Sequence, residues 1–302
     1  MSARLQRNGE TILLTGATGY VGSVVAQKLL GAGYSVRGLT RSQDKAPILQ
    51  SRGLKPIVGD IADPDLMARA AAGVSAIVHT AAPNAPVPGE NMDQMIAGVA
   101  RAARSLADLA AAGNTRLVIT GGASIYGPTG GNIVDESTPF HAPSFAAPLA
   151  DAETELAEAG RAHILRLGVV YGRDQSLPMR TLIENVRKRG ATAIVDPAHR
   201  LSVVHVDDLA NLYLAILEAE TPPTIVNGVS AIAPWPEVMH AIGKAAGVSG
   251  KPDMITPEEA FALGGPAIYL PIDMAVSGKL ARERLAWQPT AKSFTDDVAV
   301  KT

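Results

Sequence analysis

The segment from Ile12 to Gly22, Ile-Leu-Leu-Thr-Gly-Ala-Thr-Gly-Tyr-Val-Gly, constrains the fold of this chain more than any other stretch. Its apolar start predicts a buried strand that ends at Thr15, and its second half predicts a helix that begins at about Tyr20. Glycines between the two suit a tight turn, because glycine adopts positive φ and lets a ligand approach the backbone without meeting a Cβ.

A helix N-terminus that follows such a turn offers unpaired N–H groups and the positive end of the helix dipole, which suit a pyrophosphate. The strand–turn–helix context is what makes a glycine fingerprint informative. The alternative is that the glycines only allow a tight turn. The segment predicts a dinucleotide site with these contact residues: Gly16, Thr18, Gly19, Tyr20, Val21 and Gly22.

The composition fits one large α/β domain, or a nucleotide-binding domain with a smaller one, because the chain has 302 residues of which 47% are hydrophobic. A net charge of −2 gives no reason to expect nucleic acid or an acidic membrane as partner. The absence of cysteine excludes disulfides and thiolate metal sites, and we expect no metal. The first ten residues lack an apolar signal core, and no apolar run approaches a membrane span. We therefore expect a soluble, cytoplasmic protein with a small-molecule substrate.

The second predicted strand, Tyr34 to Leu39, ends without the acidic residue that commonly binds a ribose 2′-OH. Arg41 and Ser42 follow it, and an arginine there can pair with a 2′-phosphate. Arg37 or Lys45 could assist. This pattern predicts NADP (NADPH) rather than NAD as cofactor, although Arg41 could instead be an ordinary solvated surface residue.

Further candidate contacts for the cofactor follow the next strands. Asp60 and Ile61 come after the third predicted strand (Lys55 to Val58), where a carboxylate can accept a hydrogen bond from an adenine amino group and an apolar side chain can pack on the ring. Small residues follow the fourth predicted strand and let the backbone pass close to phosphate and ribose: Thr80, Ala81 and Ala82. His79, which ends that strand, is expected to pack in the core.

Strands and helices alternate along the chain. A long alanine-rich helix is predicted over Asn91 to Ala112, and a fifth strand over Thr115 to Thr120. Alternation of this kind predicts a doubly wound parallel sheet with right-handed crossovers and helices on both faces.

Several motifs taken together resemble the extended short-chain dehydrogenase/reductase family, the NAD(P)-dependent epimerase/dehydratase group. They are Thr15-Gly-x-x-Gly-x-x-Gly22, Gly59-Asp60-Ile61, Thr80-Ala81-Ala82, Ser124-Ile-Tyr-Gly127, Asp135-Glu-Ser-Thr-Pro139, Arg166-Leu-Gly-Val-Val-Tyr-Gly172, Val204-His-Val-Asp-Asp-Leu-Ala210 and Leu285-Ala-Trp-Gln-Pro289. The resemblance covers essentially the whole chain.

The resemblance implies a Rossmann-type core with a small C-terminal substrate-binding region. Residues 1–172 would form the NAD(P)-binding domain, whose core also takes in about 192–228, and residues 173–302 would be mainly substrate-binding and interleaved with that core. Three further residues would contact the cofactor: Thr120, Leu167 and Val170. Family members often pair through two long helices, here around 91–112 and 148–159, so a homodimer is expected.

The chain departs from the resembled family at its catalytic residues. The family uses a Ser or Thr together with a Tyr-x-x-x-Lys pair, and the tyrosine and lysine positions fall here on Phe145 and Leu149. Phe145 cannot donate a proton, and Leu149 has no charge that could shift the pKa of a proton donor. Candidate replacements are Ser124, Tyr126 and His141. The simpler alternatives are that Tyr126 packs in the core and that His141 is solvated.

Three functions therefore stay open. The first is an NADP-dependent oxidoreductase or epimerase/dehydratase-like enzyme that acts on a small carbonyl or alcohol substrate with a non-standard proton donor. The second is a non-catalytic NADP-binding sensor or regulator similar to NmrA-type proteins. The third is a non-redox enzyme on the same fold.

The C-terminal half holds candidate substrate contacts. A predicted helix from Leu177 to Arg189 has a basic end that could bind an anionic substrate tail or simply complement the helix dipole. Apolar side chains that could line a substrate pocket, or be core, are Met254, Phe261, Tyr269 and Met274. The loop from Pro83 to Pro88 is a candidate lid over the cofactor.

Overall fold

A computed structural model of the chain describes residues 9–81, 91–142, 147–173 and 176–299. The chain forms two compact units that interleave along the sequence. Unit 1 comprises Met1–Gly121, Pro143–Leu165 and Ala210–Val226, and unit 2 comprises Gly122–Ala142, Arg166–Leu209 and Asn227–Thr302. These ranges differ from the expected boundary at residue 172. That one unit holds a cofactor and the other a substrate stays a prediction.

Strands and helices alternate over the first half, as predicted. The elements are β1 (Thr11–Thr15), α1 (Tyr20–Gly31), β2 (Ser35–Thr40), α2 (Ala46–Ser51), β3 (Lys55–Val58), α3 (Pro64–Ala71), β4 (Ala76–His79), α4 (Met92–Ala112), β5 (Arg116–Gly122), α5 (Ala147–Glu158) and β6 (His163–Leu167). Short 3₁₀ helices cover Gln43–Lys45 and Ala123–Tyr126.

The second half contains shorter strands. Its elements are β7 (Val169–Tyr171), α6 (Leu177–Arg189), β8 (Ala193–Ile194), β9 (Arg200–His205), α7 (Val206–Glu218), β10 (Ile225–Gly228), β11 (Ala231–Pro234), α8 (Trp235–Ala246), β12 (Asp253–Met254), α9 (Pro257–Leu263), α10 (Lys279–Leu285) and α11 (Phe294–Val298). A 3₁₀ helix, Gly265–Tyr269, follows α9.

The central sheet has seven strands in the order β10-β6-β5-β4-β1-β2-β3. The pairs β3–β2, β2–β1, β1–β4 and β4–β5 are parallel. The prediction of a Rossmann-type doubly wound sheet is confirmed. Strands β1 and β4 are buried along almost their whole length, which is why they are continuous apolar runs rather than alternating patterns.

The carboxyl ends of β1 and β4 lie level, because Thr15 is paired with His79. The turn after β1 and the segment after β4 therefore leave the sheet side by side. In doubly wound sheets, ligands bind outside the carboxyl ends of the strands. This edge of unit 1 is where the candidate site is built.

Unit 2 contains a three-stranded sheet in which β9 pairs in parallel with β7 and antiparallel with β11. Neither β9 nor β11 is predicted from the local sequence pattern. Strand β9 runs directly into α7 with no turn residue between them, and β11 is a short Ala-Ile-Ala-Pro edge strand that ends in proline. Short β8 and β12 form a separate parallel pair.

Helices α4 and α5, which were expected to pair with a second copy, pack against each other within unit 1. An ion pair joins Arg104 and Glu155 at 2.7 Å, and Arg161 pairs with Asp108. Association with a second copy stays a prediction. Across the described residues, no helix is both long enough and apolar enough to span a membrane.

Candidate functional site

The glycine turn between β1 and α1 forms a closely packed cradle. Gly16 has φ +74°, and a Cβ there would lie 2.7 Å from the backbone nitrogen of Ala81. A Cβ on Gly22 would overlap the carbonyl oxygen of Gly16 and lie 2.6 Å from Thr80 Oγ1. Real Cβ atoms do not approach other atoms this closely, so both positions require glycine. The prediction that these glycines allow a tight turn and close packing agrees with this geometry.

Helix α1 presents its N-terminus to the same turn. Gly19 is the N-cap, its N–H donates to the Gly16 carbonyl at 2.8 Å, and the helix ladder starts with Ser23 N–H donating to Gly19 O at 2.9 Å. The first-turn residues, Tyr20 and Val21 among them, are uncharged. N–H groups that precede the first ladder bond can bind an anion, and the dipole of this 12-residue helix favours one. Thr18 lies in the turn and is half-buried.

The segment after β4 closes the cradle from the neighbouring strand. The Thr80 hydroxyl donates to the Thr15 carbonyl at 2.8 Å, and the Thr80 N–H approaches the same oxygen at 3.2 Å. Thr80 and Ala81 are thus fixed against Gly16, and their contact with a phosphate stays a prediction. Ala82 and the candidate lid Pro83–Pro88 lie outside the described residues.

A buried polar layer lies beneath this edge. His79 is 3% exposed, and its Nδ1 lies 2.7 Å from Thr15 Oγ1. Burial lowers the pKa of His79 from 6.5 to about 4, so the ring is neutral at physiological pH. Thr120 donates through Oγ1 to the His79 carbonyl at 2.7 Å and contacts Tyr213 OH at 2.5 Å.

The predicted core position of His79 agrees with its burial, the cofactor contact of Thr120 stays a prediction, and Tyr213 is a partner that the sequence pattern does not indicate. Burial strongly raises the pKa of Tyr213, which keeps its hydroxyl protonated. Tyr213 lies within the apolar face of α7, and no local signal there indicates a partner on a distant strand.

Arg41 lies immediately after β2 and is exposed. Among the residues that the structure describes, its side chain makes no hydrogen bond or ion pair. Ser42 follows it, with its N–H donating to Thr40 Oγ1 at 3.3 Å. Both residues are therefore placed where a 2′-phosphate contact was predicted, and that contact stays a prediction.

Arg37 does not assist Arg41, and this part of the sequence interpretation is wrong. Its guanidinium donates to the carbonyl oxygens of Ala70 and Ala72, each at 2.7 Å. These carbonyls lie at the C-terminal end of α3, where a cation is stabilised by the helix dipole. Arg37 therefore caps a helix.

Asp60 and Ile61 lie after β3. Asp60 is exposed, and one of its carboxylate oxygens accepts a hydrogen bond from Ala62 N–H at 2.9 Å, which leaves the other available to a ligand. Ile61 is half-buried and packs at the rim of the unit 1 core. These positions are compatible with the predicted adenine contacts.

Tyr126, one of the three catalytic candidates, is 3% exposed in unit 2. Its hydroxyl accepts from Arg166 at 2.9 Å and donates to Asn227 Oδ1 at 3.1 Å. Burial raises the pKa of Tyr126. Glu136 accepts from the Asn227 N–H at 2.8 Å, and burial raises the pKa of this carboxyl as well. These contacts argue against Tyr126 as a proton donor and for a structural role.

Ser124 and His141, the other two candidates, lie in one neighbourhood of unit 2. The Ser124 carbonyl accepts from Gly127 N–H at 3.1 Å, and His141 N–H approaches the Tyr126 carbonyl at 3.4 Å. A Cβ on Gly127, whose φ is +71°, would lie 2.5 Å from the His141 carbonyl oxygen. Ser124 is half-buried and His141 is exposed. Gly127, which follows the 3₁₀ helix that carries Ser124, thus packs closely against the backbone of His141.

The expected lysine position, Leu149, lies in the first turn of α5 and is half-buried, while Phe145 lies outside the described residues. One turn later Glu153 is buried, and a Cβ on Gly121 would overlap its carboxylate. No motif in the sequence indicates a role for Glu153. Leu167 and Val170 are half-buried in unit 2, and their contact with a cofactor stays a prediction.

The chain is similar in sequence to a known protein family and to proteins of other organisms. Residues 12–227 match the model of the NAD dependent epimerase/dehydratase family. The uncharacterized protein C2A9.02 of Schizosaccharomyces pombe is 29% identical over 95% of this chain and 98% of its own length. The 2-alkyl-3-oxoalkanoate reductase of Stenotrophomonas maltophilia is 30% identical over 84% of this chain and 81% of its own length.

A solved structure shares the fold. The human epimerase family protein SDR39U1, crystallised with NADPH, superposes with a TM-score of 0.74 over 96% of this chain and 98% of that chain, at 21% identity. A likeness at this level of identity shows a common architecture.

Proposed function

This chain belongs to the NAD dependent epimerase/dehydratase family, and on that premise we propose that it is an NADP-dependent oxidoreductase that acts on a small carbonyl or alcohol substrate. The observation that carries the proposal is the cradle of Gly16, Gly22 and Thr80 at the N-terminus of α1, which has no room for side chains and suits a dinucleotide phosphate.

Arg41 supports the choice of NADP over NAD. A guanidinium without a protein partner among the described residues, placed directly after β2, can pair with a 2′-phosphate through two charge-assisted hydrogen bonds. The N–H groups of the α1 first turn would hold the pyrophosphate, and Asp60 would accept from the adenine amino group. When bound, NADPH supplies the hydride.

Ser124 and His141 are the proposed groups that act on the substrate. Ser124 would donate its hydroxyl to the substrate carbonyl and orient it. His141 would donate a proton to the substrate oxygen as the carbonyl is reduced. Because its imidazole is exposed, it can take up another proton from water. Phe145 and Leu149, at the positions expected for tyrosine and lysine, offer no proton.

The name of the reductase from Stenotrophomonas maltophilia supports carbonyl reduction as the direction of the reaction. The chain matches most of the length of that protein, so the resemblance extends beyond the nucleotide turn.

Calorimetric titration of the purified protein with NADPH, NADP and NADH tests the cofactor, and a panel of ketones and secondary alcohols tests turnover. We expect micromolar binding of NADPH, weaker binding of NADH, and ketone-dependent oxidation of NADPH. If none of the three nucleotides binds, the proposal is rejected.

A second candidate is a non-catalytic NADP-binding regulator, favoured by the apolar side chain of Leu149 in the first turn of α5. The same titration separates the two. Tight binding that distinguishes NADP from NADPH, with no turnover over the whole panel, would support the regulator.

A further inference from the structure

Arg166 carries a buried positive charge in unit 2. It lies near the end of β6 and is 2% exposed. Burial of a charge costs free energy unless hydrogen bonds and neighbouring charges compensate it. The carboxylate of Glu136 interacts electrostatically with this cation. Because a buried arginine is costly, the side chains that it contacts indicate what it does in the fold.

Two aromatic rings lie close to the Arg166 guanidinium. Its Cζ is 5.1 Å from the centroid of the Tyr126 ring and 5.6 Å from the centroid of the Phe140 ring. Both distances are within the range of about 6 Å over which a cation is attracted to the face of a ring. The guanidinium also donates to Tyr126 OH at 2.9 Å. Arg166 therefore binds aromatic side chains from two separate segments of the chain.

These two segments carry the groups that we propose to act on the substrate. Tyr126 lies in the 3₁₀ helix that carries Ser124, and Phe140 directly precedes His141. We call them the Ser124 segment (residues 123–127) and the His141 segment (residues 140–141). The buried cation therefore connects the backbone of one proposed group to the backbone of the other.

The direct backbone contact between the two segments is weak. The His141 N–H approaches the Tyr126 carbonyl at 3.4 Å, which is longer than an ordinary N–H···O hydrogen bond. The segments pack closely at Gly127, so a change in their arrangement would displace both of them. The contacts of Arg166, a hydrogen bond from an ionised donor and two cation–π contacts, supply a stronger connection.

We infer that Arg166 is a positioning residue that holds the Ser124 segment against the His141 segment, in the arrangement that the reaction at the substrate carbonyl requires. The inference rests on the proposed function, since it names what arranges the two groups proposed for that reaction. Arg166 is buried, so it would act through these segments rather than on the substrate itself. A reacting group that is misplaced by about 1 Å can lose about 100-fold in rate, so a contact of this kind affects kcat.

Backbone hydrogen exchange, followed by NMR, tests the inference without turnover. The Gly127 N–H donates to the Ser124 carbonyl at 3.1 Å, so together with the His141 N–H it reports on both segments. In Arg166→Met we expect these two amides to exchange about tenfold faster, because the cation–π contacts are lost. Arg166→Lys should keep part of the protection, since an ammonium is also attracted to the rings.

Two further amides are the internal control for this measurement. The N–H groups of Thr129 and Val134 donate to the carbonyls of Asp273 and Ala275, at 2.8 Å and 3.0 Å. Their exchange should stay unchanged in Arg166→Met, because these bonds do not involve either segment. Equally faster exchange of these amides would indicate a general loosening of the chain and would overturn the inference.

Kinetics tests the consequence for the reaction. Arg166→Met should lower kcat on an active ketone about 100-fold and leave the affinity for NADPH unchanged. Arg166→Lys should recover part of that loss. In the double variant Ser124→Ala/His141→Ala, the addition of Arg166→Met should have no further effect on kcat, because the groups that Arg166 positions are already absent. An equal fall of kcat in both backgrounds would overturn the inference.

Arg282→Met is the matched control variant. Arg282 also lies in unit 2, its Cζ is 5.4 Å from the centroid of the Trp287 ring, and it donates to the Gly278 carbonyl at 2.9 Å. It belongs to neither segment, so Arg282→Met should leave kcat and the exchange of both reporter amides unchanged. If the two arginine variants behave alike, Arg166 has only a structural role and the inference is overturned.

A second variant keeps the test available if Arg166→Met does not fold. Phe140→Leu removes one ring and retains the cation, and we expect the same changes in exchange and kcat at smaller size. Because exchange needs no substrate, the two proposals fail separately. A wild-type protein that reduces no ketone would count against the oxidoreductase only. Unchanged exchange at Gly127 and His141 in the variants would overturn the positioning role only.

Discussion

Thr15 Oγ1 and His79 Nδ1 lie 2.7 Å apart where the ends of β1 and β4 meet beneath the glycine turn. The Thr15 carbonyl also accepts a hydrogen bond from the Thr80 hydroxyl. Thr15 and His79 therefore connect the sheet to the glycine turn after β1 and to the segment after β4. His79 keeps its neutral form because burial disfavours the imidazolium. A neutral histidine therefore lies directly beneath the glycine turn.

Stability should fall as the pH drops from about 6.5 to 4. The pKa of His79 is 6.5 when unfolded and about 4 when folded, so the unfolded state binds more protons throughout this window. The stability that His79 contributes is fully present above pH 6.5 and is lost as the pH falls, by about 3 kcal/mol in total. Urea unfolding at a series of pH values measures it.

The variant His79→Leu isolates this contribution. Burial also lowers the pKa of His163, whose effect has the same sign and persists in the variant. We expect a shallower pH dependence of the free energy of unfolding in His79→Leu. An unchanged slope would show that His79 is not the group responsible.

Gly22→Ala should damage both stability and cofactor binding. The added Cβ would overlap the Gly16 carbonyl oxygen, so the turn must shift at a cost of about 1–3 kcal/mol. Gly31→Ala, in the same helix, is the control, because a Cβ there would extend into open space. Thermal unfolding with and without NADPH should show a loss for Gly22→Ala only. Equal behaviour of the two variants would contradict the packing argument.

Arg41→Ala should lower the affinity for NADPH about 10- to 100-fold, the range expected for hydrogen bonds to a charged group. The affinity for NADH should change little, because NADH lacks the 2′-phosphate. Arg52→Ala is the control, since Arg52 is also exposed but lies at the end of α2, just before β3 begins. Loss of both nucleotides in parallel would indicate a general effect on the fold.

Tyr126→Phe should cost stability and spare turnover. Removal of the hydroxyl leaves Asn227 Oδ1 and Arg166 without this buried partner, at a cost of about 1–3 kcal/mol. The Tyr269 hydroxyl makes no hydrogen bond within the described ranges, so Tyr269→Phe is the matched control. A large fall in kcat at unchanged stability would restore Tyr126 as a catalytic candidate.

The fold was largely predictable because parallel strands that are buried on both faces consist of consecutive apolar residues, as in Ile12–Leu14. Gly16 likewise indicates a turn, because its φ of +74° lies in a region that few other residues adopt. Local patterns of this kind identify elements and turns without knowledge of tertiary contacts.

Tertiary contacts set the limit of the sequence interpretation. Arg37 and Arg41 are four residues apart and chemically identical, yet Arg37 caps α3 because its β2 position faces residues 33 to 35 places away along the chain. Tyr126 carries a plausible acid, but its role is decided by Arg166 and Asn227, which meet it only in the folded unit. No local pattern encodes either outcome.

His141→Ala should lower kcat on an active ketone about 100- to 10,000-fold if His141 supplies the proton, while NADPH affinity stays unchanged. His240→Ala is the control, since His240 is exposed on α8 and has no proposed role. Ser124→Ala should also reduce kcat at unchanged NADPH affinity, because the hydroxyl would orient the substrate carbonyl. Retention of full kcat by both variants would leave the oxidoreductase without its proposed catalytic groups and would favour water as the proton source.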